Sequence, residues 1–362
     1  LAAKEREALD EFASIHHWTG ERQSAEWQQR RGVVFGIGDD TAIVDVGLAE
    51  EGVAAPKRML LAVDTMVETV HFNDATMREE DIGYKALAAN VSDISAMGGV
   101  PLHALVSVSV PRAWGPERMR RLYDGLYACA ERYGVAVIGG DTTSSPEHLV
   151  IAVTVTGTVE AALALRRSGA MPGDAVFVTG AVGMAAAGLH ALLAQRVDGA
   201  AEAAHPVIVQ AHRRPAPSVR AGRLLAAHGL GCHALNDVSD GLASEAWEIA
   251  EASGVRVVLH ETELPRSGSM AAYASEAGMD PLEWMLYGGE DYALLGTIDK
   301  TSVIAALELF RKEGIPFFLI GEIEAGDAAV ELVRARAAGV SHSGKQEKRV
   351  QLAKRGYNHF KR

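Results

Sequence analysis

The chain is expected to fold as a two-domain α/β protein, and three observations carry that expectation. β-branched runs of strand length alternate with segments whose apolar residues recur at helical spacing. A turn-rich stretch, Arg166-Arg167-Ser168-Gly169-Ala170-Met171-Pro172-Gly173-Asp174, separates two such series. At 362 residues the chain is long enough for two cores. A first domain is therefore placed at residues 1–160 and a second at 161–362.

The elements follow in order. Leu9, Phe12 and Ile15 predict an amphipathic helix over 4–18. Residues 36–46 (GIGDDTAIVDV) turn on two glycines into a strand. Residues 57–65 (KRMLLAVDT) predict a strand with Asp64 at its end. The stretch 81–97 is a helix, apolar at Ile82, Leu87, Val91 and Ile94 and stopped by Gly98-Gly99. A strand over 102–110, a helix over 116–133 and strands over 135–143 and 149–160 complete the first series. In the second, strands are expected at 175–182, 255–261, 292–298, 316–323 and 329–335. Helices are expected over 184–196, from Gly241 to Ser253, near 268–277 and over 301–313. The halves are alike in style without an exact repeat, and the tail from Ser341 is basic and polar.

Composition narrows the function. Hydrophobic residues make up 48% and charged residues 23%, an ordinary globular balance. No apolar run reaches the roughly 18 residues that span a bilayer. The opening Leu-Ala-Ala-Lys-Glu-Arg-Glu has no signal-peptide core, so a cytoplasmic, membrane-free protein is expected. Acidic residues outnumber basic ones 47 to 35, a net charge of −12, which argues against a nucleic-acid partner. It leaves a phosphate ligand open, because bound metal ions reverse the local field. Cys129 and Cys232 lack CxxC partners and read as reduced core residues.

The residues that could do chemistry are acidic and recur. Asp39-Asp40, Asp64, Asp93, Asp141 and the Asp237-Val-Ser-Asp240 turn sit at strand ends or on a helix face. Adjacent carboxylates repel unless a positive charge lies beside them, and Mg²⁺ with its oxygen ligands is the usual remedy. Asp93 is the most informative, since it interrupts an apolar helix where an unpaired carboxylate is costly. Each has a plainer reading too: a solvated turn for Asp39-Asp40, a solvent-facing side chain for Asp93, an N-cap for Asp237–Asp240. Gly139-Gly140-Asp141-Thr142-Thr143 repeats the design of small residues, carboxylate and hydroxyls, and Gly288-Gly289-Glu290-Asp291-Tyr292 is a further acidic turn. Two patterns are discounted. Residues 339–346 (GVSHSGKQ) lack the hydroxyl that follows a Walker A lysine, and the Asn90-Val-Ser92 sequon falls in a helix of a cytoplasmic protein.

Taken together, GIGDDTA, VDT with His71 seven residues beyond Asp64, DIGYKALAANVSDISAMGG, IGGDTT, RSGAMPGD, NDVSDGL and YGGEDY resemble the thiamine-monophosphate kinases. The likeness runs from about residue 33 to the closing GYNHF. It implies the AIR-synthase-like fold, two α/β domains with the first closing a β-barrel across a homodimer. It also implies transfer of the γ-phosphoryl group of ATP onto thiamine monophosphate, with several Mg²⁺ ions. On the matching positions, Asp40, Asp64, Asp93, Asp141, Asp237 and Asp240 stand as metal ligands, with Asp64, Asp93 and Asp240 catalytic among them. Gly140, Asp141, Arg167, Ser239 and Tyr123 stand as ATP contacts, and His71, Glu290 and Tyr357 as contacts to thiamine monophosphate.

The chain departs from the family pattern in places. Ala62 and Val63 replace hydroxyl residues common just before Asp64, and Met184 stands where a polar residue is usual. Rival branches fit less well. A selenophosphate synthetase expects a reactive Cys in an N-terminal glycine-rich loop, and a hydrogenase-maturation relative expects a C-terminal Cys, whereas this chain ends Phe360-Lys361-Arg362. A non-catalytic binding module would have no need to keep all six aspartates.

Overall fold

The computed structural model describes residues 24–30, 33–36, 39–45, 56–194, 200–334 and 348–356. The expected helix over 4–18, residues 46–55 ahead of the strand that begins at Lys57, residues 339–346 and Tyr357 lie outside them.

The first half runs α1 (Ala25–Gln29), β1 (Val33–Phe35), β2 (Ala42–Val44), β3 (Lys57–Val67), α2 (Glu79–Ala96), β4 (Val100–Pro111), α3 (Pro116–Tyr133), β5 (Ala136–Ser145) and β6 (Val150–Glu160). Its strands form one mixed sheet in the order β1-β2-β3-β6-β4-β5, with only β4 and β5 parallel. The period-2 alternation of β6 buries Ile151, Val153, Val155 and Val159, and Leu60, Ala62 and Met66 of β3 are buried likewise. Both α2 and α3 contribute to this core. Among the described residues the sheet is open, not a closed barrel, and it exposes apolar side chains: Val63 is 63%, Leu105 44% and Ile138 61% accessible.

β3 continues past the expected end at Thr65, because its pairing with β6 persists to Val67 opposite Val150. Asp64 thus sits inside the strand, in step with Ala62 and Met66, while Val63 points to the opposite face. A hydroxyl at 63 would therefore not have faced the Asp64 side, whereas Ala62 shares it.

The second half runs β7 (Ala175–Val178), α4 (Met184–Ala194), α5 (Ala200–Ala204), α6 (Pro206–Arg213), α7 (Val219–Ala227), β8 (Cys232–Asp237), α8 (Leu242–Ser253), β9 (Arg256–His260), α9 (Gly268–Ala277), α10 (Pro281–Tyr287), β10 (Leu294–Ile298), α11 (Val303–Glu313), β11 (Phe318–Glu324), β12 (Ala329–Val333) and β13 (Arg349–Gln351). Its sheet has the order β13-β12-β9-β11-β7-β10-β8, with β12 and β9 parallel. β7 is shorter than expected and is followed by a turn at Gly180–Gly183. Among the elements not foreseen are α1, β1, α10 and β13. α10 is a short helix whose N-cap, Asp280, accepts from the Leu282 amide at 2.9 Å. β13 draws part of the basic tail into the sheet edge.

α2 joins the halves. It packs on β3, β4, β6 and α3 of the first and on α6, α7 and β8 of the second. Leu87, Val91 and Ile94 have no accessible surface, and each such burial is worth about 1.5–3 kcal/mol. Among the described residues no helix is long and apolar enough to cross a membrane. Cys129 and Cys232 are free thiols.

Candidate active site

The acidic residues come together where α2 meets both sheets. Asp40 lies on the turn before β2, Asp64 within β3, Asp93 in the last turn of α2 and Asp237 at the end of β8. Ligand oxygens of Asp40, Asp93 and Asp237 lie within 4.8 Å of one another. The Asp64 and Asp93 carboxyl groups share a hydrogen bond, and Ser92 Oγ donates to Asp237.

Such crowding is unfavourable for ionised groups. Burial raises Asp93 well above the usual carboxylate range, and the charges of Asp64, Asp237 and Asp40 push it further. Burial, then Asp40, does the same to Asp237. Asp64 is raised by burial. Burial lifts Asp40 to about 6 against the pull of Arg167, and burial and Asp40 lift Asp39 to about 6. Asp40 Oδ2 is buried without a hydrogen-bond partner. An all-oxygen donor set with one orphaned oxygen and too much negative charge fits a hard divalent cation.

Arg167 is the nearest protein counter-charge. Its guanidinium bonds Asp40, reaches Glu248 at 2.9 Å and Asp39 at 3.4 Å, and its backbone N–H donates to Asp39 at 3.2 Å. Burial opposes its charge, but Asp40, Glu248 and Asp39 outweigh that and hold it above the usual arginine range. Asn236 donates to Glu245 at 2.6 Å and to Glu248 at 2.9 Å, and Glu245 accepts from the Asp240 amide at 2.9 Å and from Ser239 Oγ at 3.4 Å. Glu245 and Glu248 were not singled out in the sequence. Their one signal is i, i+3 spacing on the first turns of α8, which is common on any helix.

Two turns from the second half lock together beside this cluster. The Glu290 amide donates to Ser239 O at 2.7 Å, and the Tyr292 amide to Val238 O at 2.9 Å. A Cβ on Gly289 would lie 2.0 Å from Ser239 O, so only glycine permits the approach. Asp291 serves structure: its carboxylate accepts from the Gly183 and Ala185 amides at the start of α4. Burial, against those bonds, raises it to about 7. The Glu290 carboxylate instead meets Lys85 Nζ at 2.7 Å and His212 Nδ1 at 3.3 Å.

The remaining predicted residues are placed variously. Asp141 is exposed on β5 opposite Ser107 of β4, and it is not one of the three carboxylates that close within 4.8 Å. Gly140 lies against β4, where a Cβ would be 1.8 Å from Val106 O, so strand packing alone demands glycine there. Tyr123 packs on the first core with its ring 6.4 Å from Tyr127. His71 Nδ1 accepts from the Val67 amide at 2.9 Å. Asp240 and Ser239 occupy the turn held by Glu245. Gly356, the residue before Tyr357, passes this turn, with a built Cβ 2.9 Å from Asp240 O.

Comparison with known proteins assigns the chain. Residues 38–159 match the family of the AIR synthase related protein, N-terminal domain, and residues 171–333 that of the C-terminal domain. The thiamine-monophosphate kinase of Bacillus subtilis (strain 168) is 38% identical over 98% of this chain and all of its own. A solved structure described as AaThiL complexed with AMPPCP and TMP superposes with a TM-score of 0.76 at 30% identity, covering 99% of both chains. The thiamine-monophosphate kinase structure from Stenotrophomonas maltophilia K279a gives 0.70 at 32%, covering 91% of this chain and 96% of that one. Two AIR-synthase-related halves and such identity over almost the whole chain make it an enzyme of the thiamine-monophosphate kinase family.

Proposed function

We propose that the protein transfers the γ-phosphoryl group of ATP to the phosphate of thiamine monophosphate, giving ADP and thiamine diphosphate. The observation that carries this reading is the crowded cluster of Asp40, Asp64, Asp93 and Asp237, an all-oxygen donor set suited to a divalent cation. The related structure that holds AMPPCP and TMP supports the choice of donor and acceptor.

On this reading Asp40, Asp64, Asp93 and Asp237 hold Mg²⁺, joined by Asp141 and Asp240 when both substrates are present. Bound Mg²⁺ supplies charge neutralisation for the phosphates and a template for in-line geometry. Arg167, Ser239, Gly140-Asp141 and Tyr123 are assigned to ATP, and His71, Glu290 and Tyr357 to the acceptor. Gly356 against the Asp240 turn brings the tail toward that side. The acceptor oxygen is already anionic, so the enzyme positions it and needs no strong base. Transfer is direct, without a phospho-enzyme.

The chain divides near residue 160, and the open face of the first sheet pairs with a second copy to form a homodimer in the cytoplasm. The deciding experiment measures ADP release with Mg²⁺ and ATP in the presence of thiamine monophosphate, free thiamine or no acceptor. Stimulation by the monophosphate alone, with thiamine diphosphate as product, is expected; release indifferent to acceptor would refute the assignment.

A further inference from the structure

Lys85 is an anomaly of α2. It has 1% of its side chain accessible, and an ammonium so placed requires a charged partner. Its partner comes from the other half of the molecule. Lys85 Nζ lies 2.7 Å from Glu290 Oε2 and 3.4 Å from His212 Nδ1, and His212 Nδ1 lies 3.3 Å from the same oxygen. The three groups belong to α2, to α6 and to the loop after α10, so the cluster exists only when the halves are docked. The end of α6 is fixed in turn: Arg214 pairs with Asp81 at 2.6 Å, and Arg213 donates to Thr76 O at 2.9 Å.

The loop carrying Glu290 needs such a hold. Glu290 and Tyr292 have φ of 66° and 51°, a left-handed backbone that side-chain-bearing residues adopt only where surroundings enforce it. Lys85 and His212 both engage Oε2 alone, and 30% of the Glu290 side chain remains accessible. The carboxylate is held at one oxygen and open at its edge. Replacing a buried ion pair by apolar residues is often neutral or stabilising, so packing alone gives little reason for a lysine in the apolar middle of α2.

We propose that Lys85 is a positioning residue: it clamps the Glu290 loop of the second half to α2 of the first and so orients the carboxylate that receives the acceptor. The inference rests on the assignment of Glu290 to thiamine monophosphate made above.

The test follows amide exchange of residues 286–292 and steady-state kinetics in the full-length protein. The variants are Lys85→Met, Lys85→Arg, Glu290→Gln and the double variant Lys85→Met/Glu290→Gln. Lys85→Met is expected to speed exchange of the loop and to raise the acceptor KM about tenfold, with the ATP KM within about twofold. Lys85→Arg should restore part of both. In the Glu290→Gln background, where no charge is left to hold, the lysine change should add less than about twofold. If Lys85→Met does not fold, the double variant, which buries no lone charge, is compared with Glu290→Gln alone. Unchanged loop exchange, additive effects or equal loss for ATP and acceptor would overturn the proposal. Should the native protein show no acceptor-dependent turnover, it is the functional reading that has failed, and the exchange rates decide the clamp by themselves.

Discussion

At the scale of single residues, the site stores unfavourable charge that a bound cation would relieve. Asp39 and Asp40 rise from an ordinary 3.8 to about 6, chiefly through burial. The folded chain therefore binds more protons than the unfolded one between those values, and it loses stability as pH climbs through that window. Deprotonated carboxylates also bind Mg²⁺ best. The rise in melting temperature on adding Mg²⁺ to chelator-treated protein should accordingly grow between pH 5 and 7; a shift constant across that range would refute cation binding at these residues. Asp64→Asn replaces one member of the hydrogen-bonded pair with Asp93 by a neutral isostere. Turnover should fall by orders of magnitude with the circular-dichroism spectrum and melting temperature little changed, and near-native kcat would remove Asp64 from the machinery. Asp93 was legible from sequence because a carboxylate in an apolar helix demands a reason. Lys85, four helical positions from Ala89 in the same apolar run, carried the same signal and was passed over.

At the scale of elements, the long strands and helices were readable because their periodicity is unbroken over ten or more residues. Pairing decided what periodicity could not. β3 outlasts its expected end because β6 continues beside it, and β13 exists because β12 offers an open edge. The 286–292 loop was legible only as an acidic glycine turn; that it fits against the Asp237–Asp240 turn depends on a contact between distant segments. Gly289→Ala tests that contact. A methyl group 2.0 Å from Ser239 O forces the turns apart, and a loss of about 1–3 kcal/mol in denaturant unfolding is expected, with a larger proportional loss of kcat/KM.

At the scale of the whole molecule, spacing along the chain could not show which aspartates meet. Asp40, Asp93 and Asp237 converge from two sheets and the helix between them, whereas Asp141, embedded in an equally suggestive motif, lies exposed on β5. Family likeness suggested a grouping in advance of the fold; the structure brings Asp40, Asp93 and Asp237 within 4.8 Å and Asp64 into a hydrogen bond with Asp93. The apolar outer face of the first sheet belongs to this scale as well. An accessible row containing Val63, Leu105 and Ile138 is what a partner subunit would cover. Leu105→Glu should convert a dimer to monomers in sedimentation velocity; a native protein that sediments as a monomer would dispose of the dimer outright.

Because α2 carries both Lys85 and Asp93, one rigid rod fixes the Glu290 loop and the carboxylate cluster relative to each other. Eight residues at about 1.5 Å each set roughly 12 Å of axial rise between the Lys85–Glu290 pair and the carboxylate cluster. Neither end can drift along the rod without the other. A single residue inserted between them would alter that length by about 1.5 Å and turn one group about 100° away from its partners. The helix thus behaves as a ruler whose graduations tolerate substitution of the wood but not a change in the count.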